Sequence, residues 1–110
     1  MPRWIRPVTR VALYLRDRCA CVYCGKEDWT LRGLQLDHVR PRRGRTLARD
    51  GVDNAPRNLV TACVPCNRAK ADSPPSRLPT TKRLAVRNAV RRVVPRVDAR
   101  YVLATLNHRG

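Results

Sequence analysis

Two closely spaced cysteine pairs, with an Asp-His dipeptide between them, are the part of this sequence most suited to chemistry. The cysteines fall in two Cys-x-x-Cys pairs: Cys21, Cys24, Cys63 and Cys66. A two-residue gap lets both sulfurs of a pair reach one ion, and two pairs supply the four thiolates of a tetrahedral zinc site. The spacing therefore predicts a structural zinc ion.

Two other interpretations of the cysteines are weaker. A single Cys-x-x-Cys can be a redox dithiol, but that motif usually accompanies a βαβ pattern, which this sequence lacks. Cys19 stands five residues before Cys24, which is the wrong gap for a partner in the pair. We therefore predict that Cys19 is a small, partly buried apolar residue.

Zinc binding does not require the dipeptide Asp37-His38, and this surplus suggests catalysis. Successive side chains of a strand point to opposite sides, so Asp37 could bind a hard cation while His38 faces a water molecule. Asn67 directly follows the last cysteine and opens a predicted helix, where its amide oxygen could be a second ligand beside a bound phosphate. A histidine titrates near neutrality and suits a general base, so the set fits metal-assisted phosphodiester hydrolysis.

Each of these residues also has a plain structural interpretation. A single histidine such as His38 at a strand end is commonly a surface or capping residue. Asn67 could be a helix N-cap, and Asn58, a further candidate at the start of the second predicted strand, could be a turn residue.

The elements that must position these residues follow from local patterns. Thr9 can cap a helix at 9–18, and Gly25 suits a tight turn after Cys24. The remaining predictions are strands at 34–39 and 58–62 and helices at 67–71, 82–94 and 98–106. Thr80 or Thr81 would cap the helix at 82–94, whose apolar face would be Val86, Val90 and Val93.

Size and charge narrow the class of protein. The 110 residues predict one domain with a modest core, and the formal net charge of +16 indicates a polyanionic partner, most simply nucleic acid. No apolar run is long enough to span a membrane, and no signal peptide is visible at the start. We therefore expect a cytoplasmic protein with reduced thiols and no membrane partner.

Three segments together resemble the HNH endonucleases, the ββα-metal nucleases. They are RDRCACVYCGK (16–26), LQLDHVRP (34–41) and NLVTACVPCNRAK (58–70). The resemblance, over roughly 9–72, implies an α+β fold: a small ββα-metal (His-Me finger) motif with a four-cysteine zinc knuckle, flanked by an N-terminal helix and C-terminal helices. We expect the nuclease core with its N-terminal arm and helix at 1–76, and a basic helical extension at 77–110 packed on or beside it.

The resemblance also implies a role for each site residue. His38 would be the general base, and Asp37 and Asn67 would bind one divalent ion, Mg²⁺ or Mn²⁺. Asn58 would orient His38 through backbone contacts, with Asn54 as the alternative because the preceding loop is long and lacks the usual double glycine. Lys70 matches a basic position that could contact phosphate. The last ligand is Asn rather than His, and an amide oxygen suits these hard ions.

Basic residues flank the proposed site and continue into the last third of the chain. The candidate DNA-binding residues, besides Lys70, are Arg40, Arg42, Arg43, Arg45, Arg83, Arg87 and Arg91. Such density favours phosphate binding, although the C-terminal stripe could equally be a solvated face or a protein-docking surface. No base-reading motif is present, so weak sequence preference is expected.

The sequence therefore predicts a metal-dependent endonuclease that hydrolyses DNA. The alternative is a non-catalytic, zinc-stabilised nucleic-acid-binding module. DNA is the expected partner, with a homodimer or a larger nuclease or packaging machinery as further candidates.

Overall fold

The computed structural model describes residues 5–40, 54–70, 77–97 and 100. In chain order the elements are helix α1 (Pro7–Arg16), strand β1 (Leu34–His38), a 3-10 turn (Pro56–Asn58), strand β2 (Leu59–Cys63), helix α2 (Val64–Lys70) and helix α3 (Thr80–Val90). The predicted α+β fold, a β-hairpin followed by a helix and flanked by further helices, is confirmed.

The two strands form an antiparallel sheet whose register runs from Leu34 opposite Cys63 to His38 opposite Leu59. Strand β2 is buried along its whole length. In β1, Leu34 and Leu36 pack in a cluster with residues of α1. Asp37 instead contacts Lys70 of α2. Because side chains alternate along a strand, α1 and α2 cover opposite faces of β1.

Helix α1 begins at Pro7, two residues before the predicted Thr9 cap, and Arg6 is the N-cap without a side-chain hydrogen bond. Proline suits this place because its fixed φ matches the first helical position and its missing N–H is not needed there. The helix buries Val11, Leu13 and other residues on one side. It is attached to β1 by the Tyr14 hydroxyl, which donates to the carbonyl of Leu34 at 3.2 Å.

A buried ion pair attaches the end of α1 to the second half of the hairpin. The Arg16 guanidinium donates to Asp17 Oδ1 at 2.8 Å, and both side chains are 0% exposed. Arg16 also donates to the carbonyls of Pro56 at 2.9 Å and Leu59 at 2.6 Å. Asp17 Oδ2 accepts the backbone N–H of Thr61 at 2.9 Å. The pair thus fixes the 3-10 turn and β2 against α1.

The helix predicted at 67–71 begins earlier, at Val64, so Cys66 and Asn67 lie inside α2. Pro65 does not prevent this start because proline is tolerated in the first helical turn. Asn67 is therefore not an N-cap, and the argument that a helix N-terminus beside it binds phosphate is wrong.

Helix α3 also differs from its predicted bounds. Pro79 is the N-cap and neither threonine caps the helix through its side chain. Val86 and Val90 pack in the core as predicted, but Val93 lies beyond the last helical residue and is 88% exposed, so its place on this face is wrong. Ala89 is buried beside Val86 instead. The helix predicted at 98–106 lies outside the described residues, apart from Arg100.

The inner face of α3 packs on the hairpin. Val86 and Ala89 share a core cluster with Tyr23, Val60 and Ala62. The predicted division after residue 76 adjoins residues outside the described part and stays a prediction. None of the helices in the described ranges has the length and apolar character needed to cross a membrane.

Candidate metal centre and active site

The four paired cysteines converge as predicted. Their sulfur atoms all lie within 4.8 Å of one another, and the Cys24 and Cys63 sulfurs are 3.8 Å apart. Four sulfurs at about 2.3 Å from a central zinc ion would be separated by about 3.8 Å in a tetrahedron. The cluster therefore has the composition and size of a structural zinc site.

Local structure positions each cysteine pair. The first lies in a turn closed by two backbone hydrogen bonds, from Cys21 N to Lys26 O and from Gly25 N to Cys21 O, both at 2.8 Å. Gly25 has a φ of +82°, which explains why glycine suits this turn, as predicted. In the second pair, Cys63 ends β2 and Cys66 lies in α2, so the strand-to-helix junction sets their spacing.

Burial in the cluster affects the protonation of one of its thiols, that of Cys66. Burial, followed by hydrogen bonds with Cys63 and Cys24, raises the pKa of the Cys66 thiol to about 12. Without a metal ion this thiol therefore stays protonated, and binding of zinc would release its proton. Cys19 lies outside the cluster and is 1% exposed. Burial and the nearby Asp28 and Glu27 raise its pKa, so it is a neutral buried thiol, as predicted.

Asp37 lies near the end of β1 and is 6% exposed. Its Oδ2 accepts a hydrogen bond from the Tyr23 hydroxyl. The Lys70 ammonium lies 3.2 Å from Oδ2 and 3.4 Å from Oδ1. Burial, and then the bond to Asp37, raises the pKa of Tyr23, so its hydroxyl stays protonated and remains the donor. A buried phenol and a buried ammonium thus hold this carboxylate.

Lys70 has a different environment from the one predicted. It is 7% exposed and also donates to the backbone carbonyl of His38 at 3.0 Å. The sequence contained a signal for this position, because Lys70 follows Cys66 by four residues and lies on the same face of α2. Tyr23 was missed altogether, since only the folded turn brings it to Asp37. The phosphate contact of Lys70 stays a prediction.

The half-buried His38 lies between two asparagines. Its Nε2 is 2.7 Å from Asn54 Oδ1. An amide oxygen can only accept, so this hydrogen bond requires the proton on Nε2. Asn58 is buried at the end of the 3-10 turn and contacts the backbone instead: its side-chain Oδ1 accepts from Arg40 N and its carbonyl accepts from Val39 N, both at 2.8 Å. Asn54 therefore contacts the imidazole ring of His38. Asn58 contacts the backbone of the two residues that follow β1.

Asn67 lies on the same side of β1 as Asp37. Its Nδ2 donates to Gln35 Oε1 at 2.7 Å, and Gln35 precedes Asp37 by two residues in β1. This bond leaves the Asn67 amide oxygen as an acceptor. Asp37 offers about four lone-pair positions and retains acceptor capacity beside Tyr23 and Lys70. These oxygen donors suit a hard divalent ion.

The candidate DNA-binding arginines in the described ranges are on the surface. Arg40 is exposed just after β1, and Arg83, Arg87 and Arg91 are exposed along α3 and its C-terminal end. Arg42, Arg43 and Arg45 lie outside the described residues.

Comparison with known proteins agrees with this geometry. Residues 21–73 match the family model for HNH endonuclease. This part of the chain is therefore an HNH endonuclease domain, as the sequence predicted.

Within curated proteins, the chain is similar to short parts of two much longer nucleases. It is 37% identical to the CRISPR-associated endonuclease Cas9 of Corynebacterium diphtheriae over 59 residues, which are 54% of this chain and 5% of that protein. It is 42% identical to the Cas9 of Actinomyces naeslundii over 56 residues, which are 51% of this chain and 4% of that protein. The chain thus spans a small fraction of the length of these relatives. No solved structure gives a significant match.

Proposed function

We propose that this chain is a metal-dependent endonuclease that hydrolyses phosphodiester bonds of DNA. The main support is the position of His38 within the matched span: it ends β1, directly after a buried carboxylate, with its ring nitrogen held by Asn54. The net charge of +16 supports a nucleic-acid substrate, because neutralising phosphates favours binding.

His38 would act as the general base. In the tautomer that donates Nε2–H to Asn54, Nδ1 would take a proton from the attacking water. Asn58 would support this role by holding the backbone of Val39 and Arg40, which directly follow the histidine. A base held at both ring and backbone loses less freedom when the substrate arrives.

Asp37 and Asn67 would hold a divalent ion, Mg²⁺ or Mn²⁺, through side-chain oxygens. Such an ion supplies charge stabilisation at the scissile phosphate. The cysteine cluster would bind structural zinc and fix the base of the hairpin, since it joins the end of β2 to the turn that contains Tyr23.

One observation favours the second candidate, a zinc-stabilised nucleic-acid-binding module without catalysis. Asp37 is already engaged by two buried groups, Tyr23 and Lys70, an arrangement also expected of a purely structural carboxylate. In that case the exposed arginines would bind DNA and the hairpin would only support them.

Cleavage of supercoiled plasmid in Mg²⁺, Mn²⁺ or EDTA, with the parent chain and His38→Ala, separates the two candidates. We expect metal-dependent nicking or linearisation that is lost in His38→Ala while zinc content and circular dichroism are unchanged. His108→Ala, which changes the only other histidine, is the matched control. Tight DNA binding without cleavage by the parent chain would reject the nuclease and favour the binding module.

DNA as the substrate, a cytoplasmic location, and assembly as a homodimer or with larger machinery remain predictions. Breaks in both strands by the parent chain would favour two copies acting together, and sedimentation of the protein with a short DNA duplex would measure this.

A further inference from the structure

We infer that Tyr23 is a positioning residue for the active site: its hydroxyl orients Asp37 for cation binding and so makes the catalytic metal site depend on the first cysteine turn. The inference rests on the proposed function, in which Asp37 binds the divalent ion. Tyr23 itself would touch neither substrate nor ion.

Tyr23 is fixed by the zinc cluster and by the core. It lies between Cys21 and Cys24 in sequence and is 8% exposed. Its ring packs in a cluster that includes Val60 and Val86. A ring held on several sides can place its hydroxyl with little freedom, which is what orientation of a second group requires.

The cysteine turn and Asp37 are both attached to the same strand. Val22 of the turn donates its N–H to the carbonyl of Thr61 at 2.9 Å. Asp37 is paired with Val60, the residue before Thr61 in β2. The hydroxyl of Tyr23 therefore reaches the carboxylate across β2, from a turn whose shape depends on two cysteines.

The hydrogen bond from Tyr23 distinguishes the two carboxylate oxygens, whereas Lys70 does not. The Lys70 ammonium lies at 3.2 and 3.4 Å from them, nearly equidistant. The Tyr23 hydroxyl binds Oδ2 alone, so it selects one orientation of the carboxylate and leaves Oδ1 the less engaged oxygen. Losing a hydrogen-bond partner of a metal ligand typically costs about 10–100-fold in metal affinity or activity.

The test compares Tyr23→Phe with Tyr14→Phe. Phenylalanine keeps the ring and removes only the hydroxyl. Tyr14 is a matched control because it is 4% exposed and its hydroxyl also donates to β1, at Leu34 O, away from Asp37. Zinc-loaded full chains would be titrated with Mn²⁺ beside a short DNA duplex, with electron paramagnetic resonance measuring bound ion. The variant Asp37→Ala lacks the proposed ligand, so the Mn²⁺ that it still binds measures binding at other places and is subtracted.

For Tyr23→Phe we expect one zinc per chain, an unchanged circular dichroism spectrum, and Mn²⁺ affinity at the Asp37-dependent site weakened about tenfold. The Mn²⁺ concentration that half-saturates plasmid cleavage should rise by a similar factor. Tyr14→Phe should stay within about twofold of the parent chain in both measurements, since its hydroxyl does not contact a proposed ligand.

Equal Mn²⁺ affinity in Tyr23→Phe and the parent chain would overturn the inference, as would an equal loss in Tyr14→Phe. A parent chain with no Asp37-dependent Mn²⁺ site would overturn it too. If the parent chain binds Mn²⁺ at that site but does not cleave, the proposed nuclease fails, while the affinities of the two variants still decide the role of Tyr23.

Discussion

Thr61 contains a buried polar atom that the described residues leave without a partner. The residue is 0% exposed in the centre of β2, and its Oγ1 has no hydrogen bond within the described part of the chain. Its backbone N–H is bound to Asp17 and its carbonyl to Val22. Within the described ranges, no hydrogen bond therefore compensates the desolvation cost of this hydroxyl.

Replacing this hydroxyl by a methyl group should stabilise the fold. We expect Thr61→Val to increase the free energy of unfolding of the zinc-loaded protein by about 1 kcal/mol, measured by urea titration. Thr61→Ser is the control, because it keeps the hydroxyl and loses a methyl group, and it should be less stable than the parent chain. A Thr61→Val protein less stable than Thr61→Ser would show that the hydroxyl is bonded in solution.

Gly33 is required by a close approach rather than by an unusual φ. The Asp28 carboxylate accepts the Gly33 N–H at 2.8 Å and the Thr30 N–H at 3.0 Å, which closes the loop before β1. A Cβ at Gly33 would lie 2.7 Å from Asp28 Oδ2, closer than such atoms approach.

Gly33→Ala should therefore destabilise the protein by about 1 kcal/mol, because the Asp28 carboxylate must move and weaken its hydrogen bonds to the Gly33 and Thr30 N–H groups. In a chain that already has Asp28→Ala, the same change should cost much less, because the obstructing carboxylate is gone. Urea titration of the parent chain, the two single variants and the double variant gives the coupling free energy between the two changes. Additive effects of the two changes would contradict a clash between these residues.

At the scale of elements, the buried Arg16–Asp17 pair attaches the C-terminal end of α1 to the hairpin. Asp17→Ala would leave the Arg16 guanidinium 0% exposed without its carboxylate and the Thr61 N–H without its acceptor. Breaking a buried pair in this way typically costs about 3–5 kcal/mol. We expect a loss of that size in the free energy of unfolding, measured by urea titration with zinc in excess.

Arg92 provides the contrast for this prediction. Its guanidinium lies 3.6 Å from Asp17 Oδ1, but its side chain is 40% exposed. Exposed pairs contribute about 0–1 kcal/mol, so Arg92→Ala should change stability by less than about 1 kcal/mol. If Arg92→Ala and Asp17→Ala lower the free energy of unfolding equally, burial of the Arg16–Asp17 pair does not determine how much that pair contributes to stability.

The elements were predictable because their signals are local, whereas their ends and contacts depend on neighbours. Alternating apolar residues predict β1, and the two-residue gaps predict the cysteine cluster. The start of α2 at Val64 is not predicted because an asparagine after Cys66 resembles an N-cap and Pro65 resembles a helix breaker, although proline is tolerated in the first turn. The Tyr23–Asp37 hydrogen bond joins residues that are 14 positions apart in the sequence. It depends on how the cysteine turn and the two strands are aligned, and local sequence patterns do not predict that alignment.

Asn54 and Asn58 show the same limit within the site. Both were candidates for the residue that orients His38, and the sequence favoured Asn58. In the structure Asn54 contacts the His38 ring and Asn58 contacts the backbone after β1, so both could help to orient His38. Which of them catalysis requires stays a prediction, and Asn54→Ala and Asn58→Ala in the plasmid assay would measure it.

At the scale of the whole molecule, the excess of positive charge should make DNA binding steeply dependent on salt. Each phosphate neutralised by a cation adds about −0.9 to the slope of log affinity against log salt. The exposed arginines along α3 are the candidates with described positions: Arg83, Arg87 and Arg91.

Replacing these three arginines by glutamine should weaken DNA binding and make the slope shallower by about 2–3, measured by fluorescence anisotropy across a range of salt concentrations. A matched triple substitution removes the same charge from exposed residues elsewhere: Arg6, Arg18 and Lys26. If the slope of log affinity against log salt becomes shallower by the same amount in both triple variants, long-range charge explains the binding. The α3 surface is then a solvated or protein-docking face.

The hydrogen bond from Val39 N to Asn58 O has a consequence for how this domain can be remodelled. This hydrogen bond holds the two ends of the connection between β1 and β2 close together. The pairing of the strands therefore does not fix the length of the chain between Val39 and Asn58. Doubling the length of a flexible connection costs only about 0.6 kcal/mol. Extra residues could be inserted between Arg40 and Asn54 while His38, Asn54 and Asn58 keep their contacts. The hairpin should therefore tolerate insertions in this connection without losing the strand pairing that positions His38.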